Sequence, residues 1–175
     1  MDGFISGGIS GAISNPYSKE ALKHAEVAYG SIRKSHTDIE RIANNTEYTK
    51  EQITLIKNYL FYDEHDLDGE YRRFDPDFCI AQSWHRLAFE PDNIQEHDLI
   101  LLKHELHEMQ LMLQGYKQSE AHDLTNGKGL NYHFACERYY EKISGHASGQ
   151  GKDINSGAIN STATRYYNPD DDLGL

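Results

Sequence analysis

Hydrophobic side chains recur every three to four residues across most of residues 18–143. This spacing places them on one face of an α-helix, so it predicts a series of amphipathic helices. Residues that cap helices mark where these helices begin and end. The predicted segments are a helix from Ser18 to about Gly30, two helices opened by the capping boxes Thr37/Glu40 and Thr49/Gln52, a helix opened by Asp75 and Pro76, a long helix from about Gln95 to Gln114 closed by Gly115, a short helix from Ser119 to about Asn126, and a last helix from Asn131 to Ile143.

The periodic pattern fails at both ends of the chain. Residues 1–17 are rich in Gly and Ser, and residues 144–175 are rich in Gly, Ser, Asn and Asp. We therefore expect a flexible linker or carrier remnant before the domain and an irregular acidic tail after it. The chain has 175 residues, and on this length residues 18–143 should form a single compact all-α domain.

Composition supports a helical fold without a large sheet. Val27 is the only valine in the chain, and valine is among the residues most enriched in strands. Cys79 and Cys136 are too few for a disulfide framework, and neither has a second cysteine at metal-ligand spacing, so we interpret them as buried, unpaired thiols. No apolar run reaches the roughly 18 residues of a membrane span. The N-terminal residues lack the features of a signal peptide, so we expect no export signal there.

The negative charge is concentrated in the middle of the chain. The formal net charge is -11, and residues 61–100 contain eleven acidic residues against three basic ones. Proteins that bind nucleic acid usually carry a basic surface, because neutralising phosphates drives their affinity. The charge therefore disfavours a nucleic-acid partner and suits a basic partner, a bound cation or simple solubility.

The long predicted helix places ionisable residues where apolar ones are expected. With a step of about 100° per residue, its narrow polar face holds Glu96, Lys103, His107, Gln110 and Gln114. The remaining arc is apolar except for five ionisable residues, which are His97, Asp98, His104, Glu105 and Glu108. Burying such groups costs free energy unless they are paired, hydrogen-bonded or bound to a metal. A functional site is one explanation for this cluster, and a structural hydrogen-bond network is the other.

The spacing of the cluster matches metal or acid/base chemistry. His104 and Glu108 lie one helical turn apart and point the same way, as two metal ligands or an acid/base pair would. Glu105 occupies the position of the general base in the zinc-binding motif H-E-x-x-H, whose second histidine is replaced here by Glu108. The turn at Gly115 could bring His122 back across the helix as a third group. The predicted catalytic residues are His104, Glu105, Glu108 and His122, and the predicted ligands of a divalent metal ion are His104, Glu108 and His122.

Two further charged residues are candidates for the same site. Arg73 lies in a strongly acidic segment and could pair with Glu105 or Asp98, or hold a substrate phosphate. Asp98 could join the site, or it could cap the start of the long helix, where a carboxylate meets the positive end of the helix dipole. We interpret Trp84 as a core residue and His107 as a solvated residue on the polar face.

Several segments of the chain resemble a known toxin family. They are residues 42–46, 73–76, 81–87, 97–108 and 119–122. Together they resemble a module found at the C-terminal ends of bacterial polymorphic toxins and on phage minor-head proteins, and the resemblance covers about residues 37–143. Its pattern L-L-x-H-E-x-x-E with a downstream A-H is present at residues 101–108 and 121–122.

This resemblance implies a secreted effector. The domain would be secreted as part of a larger protein, delivered into the cytoplasm of a target cell and neutralised by a cognate immunity protein. Toxin modules in this position are frequently nucleases, so a nuclease that uses the His/Glu cluster on a nucleic-acid substrate is the leading expectation. The alternatives are a zinc-type hydrolase of peptide or acyl bonds and a non-catalytic acidic module that binds a basic protein.

These three hypotheses predict different structures. A nuclease should present a basic groove to its substrate despite the net negative charge. A metallohydrolase should bind a metal ion stoichiometrically at the His/Glu cluster. A non-catalytic binding module should leave His104 and Glu108 fully hydrogen-bonded within the protein.

Overall fold

A computed structural model of the protein describes residue 13 and residues 15–67 and 69–147. In this part of the chain the fold is all-α, as predicted, with one short hairpin between the third and fourth helices. The elements are α1 (Lys19–Lys34), α2 (Asp38–Asn45), α3 (Lys50–Phe61), β1 (His65–Leu67), β2 (Glu70–Arg72), α4 (Phe78–Phe89), α5 (Glu96–Leu113), α6 (Gln118–Thr125) and α7 (Tyr132–Ala147). Most of the predicted linker (1–17) and tail (144–175) lies outside the described residues. None of the described helices is long and apolar enough to cross a membrane.

Capping residues identified in the sequence begin three of these helices. The Ser18 side chain accepts a hydrogen bond of 3.1 Å from a backbone N–H in the first turn of α1. Thr49 and Gln52 form the predicted reciprocal capping box at α3. Asn131 accepts a hydrogen bond of 3.0 Å from the backbone N–H of Phe134 at the start of α7. These local contacts confirm three of the predicted helix starts.

Helix α1 is longer than predicted. Its end was expected near Gly30, but the helix continues to Lys34. Tyr29 and Ile32 lie on either side of this glycine and are both buried, so their packing outweighs the roughly 1 kcal/mol that glycine costs within a helix. Helix α7 also continues past the predicted end at Ile143, as far as Ala147.

The starts of α2 and α4 differ from the predicted ones. Thr37 precedes α2, but its side chain makes no capping hydrogen bond. Helix α4 begins at Phe78, and its cap is Asp77, which accepts a hydrogen bond of 2.8 Å from a backbone N–H in the first turn. Asp75 instead forms an ion pair of 3.0 Å with Arg72. The predicted cap at Asp75 was wrong because the hairpin occupies the chain up to Arg72, so the helix starts later.

A turn between Asp66 and Gly69 joins β1 and β2 into an antiparallel hairpin. His65 pairs with Arg72, and the backbone N–H of Gly69 donates a 2.9 Å hydrogen bond to Asp66 Oδ1. Beyond β2, the ring of Phe74 stacks on the ring of His65 with centroids 4.2 Å apart. The hairpin thus anchors Phe74 against the domain, beside the site described below.

Trp84 occupies the centre of the hydrophobic core, as predicted. Its ring is fully buried and meets the ring of Phe61 edge-on with centroids 5.1 Å apart. Helix α4, which carries Trp84, packs against α1, α2 and α5, and α5 also packs against α3, α6 and α7. The long helix α5 therefore has neighbours on several sides, which explains why most of its surface is covered.

Cys79 and Cys136 form a disulfide between α4 and α7, with their Cα atoms 6.4 Å apart. The interpretation of these cysteines as unpaired thiols was therefore wrong, although both are buried as expected. The two residues are 57 positions apart, and only the packing of α4 and α7 in the folded domain brings them together. No local spacing pattern in the sequence could indicate this pairing.

A buried ion pair links the first four helices. Lys57 Nζ on α3 lies 2.8 Å from Asp38 Oδ1 on α2, and both side chains are buried. Lys57 also donates a 2.9 Å hydrogen bond to the carbonyl of Ser35. The indole N–H of Trp84 donates a 2.9 Å hydrogen bond to Asp38 Oδ2. Asp38 therefore joins the loop after α1 and helices α2, α3 and α4 through one carboxylate.

Replacing Asp38 should strongly destabilise the protein. Asp38→Ala leaves the Lys57 ammonium buried without its counter-ion, and breaking a buried pair in this way costs about 3–5 kcal/mol. Denaturant unfolding followed by circular dichroism should show a loss of this size. The matched control is Glu40→Ala, because Glu40 forms a largely exposed ion pair with Lys50. The control should leave the free energy of unfolding unchanged, and equal effects of the two substitutions would contradict the prediction.

Candidate functional site

Three of the predicted site residues converge at one point between α5 and α6. Glu108 Oε2 lies 3.0 Å from His104 Nε2 and 2.9 Å from His122 Nδ1. The two imidazole nitrogens are 3.2 Å apart. All three side chains are buried. Gly115, with φ of 98°, reverses the chain between the two helices and so brings His122 over α5 as predicted.

The outer atoms of these side chains are held by neighbouring groups. Tyr59 Oη on α3 and Gln118 Nε2 on α6 both donate hydrogen bonds to Glu108 Oε1, the second at 2.9 Å. His104 Nδ1–H donates a 2.8 Å hydrogen bond to the carbonyl of Leu130, in the turn before α7. Glu108 and His104 therefore keep their inner atoms, Oε2 and Nε2, directed at the common point.

The buried carboxylate and the histidines shift each other's pKa. Burial by itself would lower the pKa of His104, but the hydrogen bond with Glu108 and the charges of Glu105 and Glu108 raise it to about 9. Burial by itself would raise the pKa of Glu108, but the hydrogen bonds from His104 and His122 hold it well below its usual range. The cluster is therefore an ionised Glu108 compensated by cationic charge.

Glu105 differs from His104 and Glu108 because its carboxyl group has no hydrogen-bond partner among the described residues. The side chain is buried, and none of the hydrogen bonds in residues 15–67 and 69–147 reaches it. Burial raises the pKa of Glu105 to about 8, the charge of His104 opposes this shift, and the charge of Glu108 adds to it. A buried carboxyl group with a strongly raised pKa is a frequent property of acid/base sites.

A small cavity lies beside the cluster and gives Glu105 access to a ligand. Its volume is about 30 Å³, and a single water molecule needs about 10–15 Å³ on the same measure. The cavity therefore has room for one or two water-sized groups. It is lined by Leu60, Phe74, Asp75, Ile80, His104, Glu105, Glu108, His122, Tyr132 and His133.

His104, Glu108 and His122 could hold a metal ion. Their potential ligand atoms all lie within 4.8 Å of one another. In a tetrahedral zinc site with bonds of about 2.0–2.1 Å, neighbouring ligand atoms are roughly 3.3 Å apart. The three separations in the structure, 2.9, 3.0 and 3.2 Å, are within a few tenths of an ångström of that value.

Arg73 does not take part in the site. It is exposed, and its Nε donates a 3.1 Å hydrogen bond to the carbonyl of Tyr62. The predicted pairing of Arg73 with Glu105 or Asp98 is therefore wrong. The arginine that pairs with Asp98 is Arg86, whose Nη2 lies 2.6 Å from Asp98 Oδ1. Arg86 occupies the face of α4 that packs on α5, whereas Arg73 lies in the loop after the hairpin.

Asp98 belongs to a second buried cluster near the start of α5. Its Oδ2 accepts hydrogen bonds of 2.8 Å from the backbone N–H of Gln95 and from Arg86 Nε, so the predicted capping role is confirmed. Ser83 donates a 2.5 Å hydrogen bond to Asp98 Oδ1. His97 Nε2 accepts a 2.8 Å hydrogen bond from Arg86 Nη2. Every charge in this cluster has a partner, which is the pattern of a structural network.

His107 is less exposed than its place on the polar face of α5 indicated. It is half-buried, and its Nδ1–H donates a 2.8 Å hydrogen bond to Thr125 Oγ1 on α6. The Thr125 hydroxyl in turn donates to the carbonyl of Ala121. The expectation of a solvated His107 was therefore wrong, because α6 covers this edge of the polar face. His107 does not line the cavity.

Sequence analysis did not identify several residues that complete the site. Tyr59 and Gln118 hold Glu108, and His133 lines the cavity. Tyr59 lies three residues after the apolar Ile56, within the helix predicted to begin at Thr49, so its burial was foreseeable, but its hydroxyl contact was not. His133 follows the helix-capping Asn131 by two residues, a position without any pattern that indicates function.

The hydrogen bonds of His104 and Glu108 bear on the alternative hypotheses. Both side chains have partners for their polar atoms within the protein, as the binding-module hypothesis requires. Metal ligands in a site without its ion would also make such contacts with one another. Glu105 is not part of this network, because none of the hydrogen bonds among the described residues reaches its buried carboxyl group.

Comparisons of the chain with protein-family models, with curated proteins and with solved structures find no match. The resemblance to polymorphic toxin modules therefore stays a prediction. Function has to follow from the geometry and electrostatics of the side chains around the cavity.

Acid should destabilise the protein through His97. Burial lowers the pKa of His97 to about 4, with Arg86 adding to this shift and Asp98 opposing it. The unfolded chain has the ordinary histidine value of about 6.5, so between these values the unfolded state binds more protons. The free energy of unfolding should therefore fall as the pH decreases from about 6.5 to about 4, and denaturant unfolding at several pH values measures it.

A histidine variant tests the assignment of this pH dependence. His97→Gln should remove on the order of 1–3 kcal/mol of the stability change between about pH 6.5 and 4. His36→Gln is the control, because His36 is exposed and should leave the pH dependence unchanged. Identical slopes for His97→Gln and the wild-type protein would refute the assignment.

Glu105→Gln should stabilise the metal-free protein at neutral pH. In the folded state the Glu105 carboxyl keeps its proton up to about pH 8, whereas in the unfolded state it ionises near pH 4.5. Stability is therefore lost as pH rises from about 4.5 through 8, and glutamine avoids this loss. We expect a gain of about 1–3 kcal/mol at pH 8 in thermal or denaturant unfolding. The exposed substitution Glu26→Gln should give no gain, and a destabilised Glu105→Gln variant would contradict the prediction.

Proposed function

We propose that this protein is a metal-dependent hydrolase in which His104, Glu108 and His122 bind a divalent cation and Glu105 acts as the general base. One observation carries the proposal. Three ligand atoms converge with separations of 2.9–3.2 Å. Beside them lies a cavity that is also lined by Glu105, whose buried carboxyl group has no hydrogen-bond partner among the described residues.

The donor set supports a zinc-type ion. Two imidazole nitrogens and one carboxylate oxygen are a common ligand set of catalytic zinc sites, which keep a fourth position for water. Ligand histidines usually donate their other ring N–H to a carbonyl or carboxylate, which fixes the orientation of the ring. His104 does this through its Nδ1–H and the carbonyl of Leu130, so its Nε2 can act as a ligand once its proton is released.

Glu108 is also arranged as a ligand. Tyr59 and Gln118 satisfy its Oε1, and Oε2 faces the two histidines. A carboxylate with one oxygen fixed by hydrogen bonds can offer the other to a cation without reorienting. The positive charge of the ion would then replace the charge of the protonated histidine as the counter-charge of the ionised Glu108.

Glu105 supports the hydrolytic part of the proposal. It follows the ligand His104 directly, as the general base does in the zinc-binding helix motif, and it lines the cavity. A bound divalent cation lowers the pKa of its water and polarises the bond to be hydrolysed. Glu105 would take the proton from that water and pass it to the leaving group. No hydrogen bond within the described part of the chain holds its carboxyl group, so once it is ionised the carboxylate is available for this step.

The lining of the cavity favours an acyl bond over a phosphodiester as the substrate. Among the described residues that line it, none is a lysine or arginine, and phosphoryl chemistry usually needs such cations to stabilise the equatorial oxygens. Leu60, Phe74 and Ile80 make one side of it apolar. We therefore prefer hydrolysis of a peptide or other acyl bond to the nuclease expected from the resemblance.

The role as a toxin effector is a proposal that rests on the resemblance of residues 37–143 to polymorphic toxin modules. A hydrolase with a buried metal site is compatible with this role. In that setting, secretion within a larger protein, delivery into a target cell and inhibition by an immunity protein would be expected.

Metal binding and catalysis can be separated by substitution. The wild-type protein should bind one zinc ion per chain in calorimetry, and His104→Ala or Glu108→Gln should weaken binding by at least about 100-fold. Glu105→Gln should still bind zinc but lose about 10²–10⁴-fold in hydrolysis of a peptide library or acyl ester, because the general base is removed. His107→Ala is the control, since it lies on the same helix but outside the cavity, and it should be unaffected in both assays.

Expression inside bacteria connects this chemistry to the toxin hypothesis. Cells that produce the wild-type chain should stop growing, and the Glu105→Gln variant should relieve this effect at equal protein levels. Intact RNA and DNA in arrested cells would favour the acyl-bond hydrolase, whereas degraded nucleic acid would support the nuclease. A protein that binds no zinc, or a Glu105→Gln variant with full activity, would overturn the proposed function.

A further inference from the structure

The Cys79–Cys136 disulfide lies next to the walls of the cavity. Ile80 follows Cys79 directly, and it lines the cavity. Tyr132 and His133 precede Cys136 by about one helical turn, and they also line the cavity. The covalent bond therefore holds together the segment of α4 and the segment of α7 that enclose the cavity.

The fully buried side chains of helix α7 form one stripe along the helix. Its buried residues are Tyr132, Cys136 and Tyr140, spaced one helical turn apart. Cys136 is the middle one, and Phe134 on another face is 56% exposed. The Tyr132 hydroxyl also shares a 2.9 Å hydrogen bond with Ser83 on α4. The disulfide is thus the covalent attachment at the centre of this stripe. Outside the stripe, Tyr139 packs beside the ring of His97, and Glu137 accepts a 2.7 Å hydrogen bond from Tyr17.

The cavity is too small for the substrates proposed above. Its volume of about 30 Å³ holds one or two water-sized groups, because a water molecule needs about 10–15 Å³. A peptide or other acyl substrate does not fit into this space unless one wall moves. The α5 and α6 walls carry the candidate ligands, so their movement would dismantle the site. The α7 wall supplies Tyr132 and His133 but no candidate ligand. It can move without loss of a ligand as long as the preceding turn, whose Leu130 carbonyl holds His104, stays in place.

We propose that the Cys79–Cys136 disulfide is a redox latch that keeps the cavity closed, and that its reduction releases the start of α7 and admits substrate. This inference rests on the proposed function for its biological meaning, but the movement itself does not depend on metal or activity. The disulfide would form in an oxidising compartment and open in a reducing one. The enzyme would then be inactive in an oxidising compartment and active in a reducing one.

The redox step is an ordinary two-electron reduction. A dithiol reductant attacks one sulfur, the S–S bond breaks, and both cysteines end as thiols after taking up two protons. The dithiol is oxidised to its own disulfide. With a phosphine as reductant, the phosphorus supplies the two electrons and becomes a phosphine oxide whose oxygen comes from water.

Amide hydrogen exchange tests the latch directly. The purified chain is compared before and after reduction with a phosphine, a reductant without thiols to compete for zinc. We expect the backbone amides of residues 132–145 to exchange about tenfold faster or more after reduction, while α3 and α5 keep their protection. In the zinc-loaded protein, a chelator should remove the metal correspondingly faster. The Cys79→Ser/Cys136→Ser variant should resemble the reduced protein and should not respond to the phosphine.

The controls separate the latch from other effects. Unchanged exchange in α7 after confirmed reduction would overturn the proposal, and so would an equal rise in α3 and α5, since that indicates global unfolding. If the double variant does not fold, the reduced wild-type protein still provides the comparison. If the chain binds no zinc, the proposed function fails while the exchange measurement still decides the latch.

Discussion

The burial of charge along α5 is the constraint on which the rest of the structure depends. Each ionised group removed from water costs several kcal/mol unless donors or counter-charges surround it. The neighbouring elements must therefore present polar groups at defined places, not only fit together as apolar surfaces. The groups that do so are Ser83 and Arg86 on α4, Tyr59 on α3, Gln118 and His122 on α6, and the carbonyl of Leu130.

The two buried clusters on α5 show how the same constraint leads to different outcomes. Around Asp98, guanidinium, hydroxyl and backbone donors form hydrogen bonds with both carboxylate oxygens. The Asp98 charge is therefore stabilised, and neither oxygen is directed at a ligand. Around Glu108, the carboxylate is also saturated, but adjacent Glu105 receives no hydrogen bond within the described chain. The fold thus surrounds the Glu108 carboxylate with hydrogen-bond donors but leaves the Glu105 carboxyl group facing a cavity. This contrast supports a role for Glu105 beyond stability.

Much of the fold followed from local patterns, and the parts that did not were contacts between distant elements. The helical period placed His97, Asp98, His104, Glu105 and Glu108 inside the covered arc of α5, and all five are buried. That period reports which face of a helix is covered but not which residue covers it. Arg86 and Arg73 were therefore indistinguishable as partners for Asp98, and the pairing of Cys79 with Cys136 had no local signature. Only the packing of α4 against α5, and of α7 beside them, decides these contacts.

The hydrogen bond from His104 to Leu130 has a consequence for mutational tolerance. Because the acceptor is a main-chain carbonyl, substitutions at position 130 preserve this hydrogen bond. They therefore leave the orientation of the His104 imidazole unchanged. The hydrogen bond is instead sensitive to the backbone conformation of the turn, in which Gly129 has a φ of 80°. Most other residues are strained in that conformation. Gly129, a residue with no side chain, therefore limits how far this turn can vary while the His104 ring keeps its orientation.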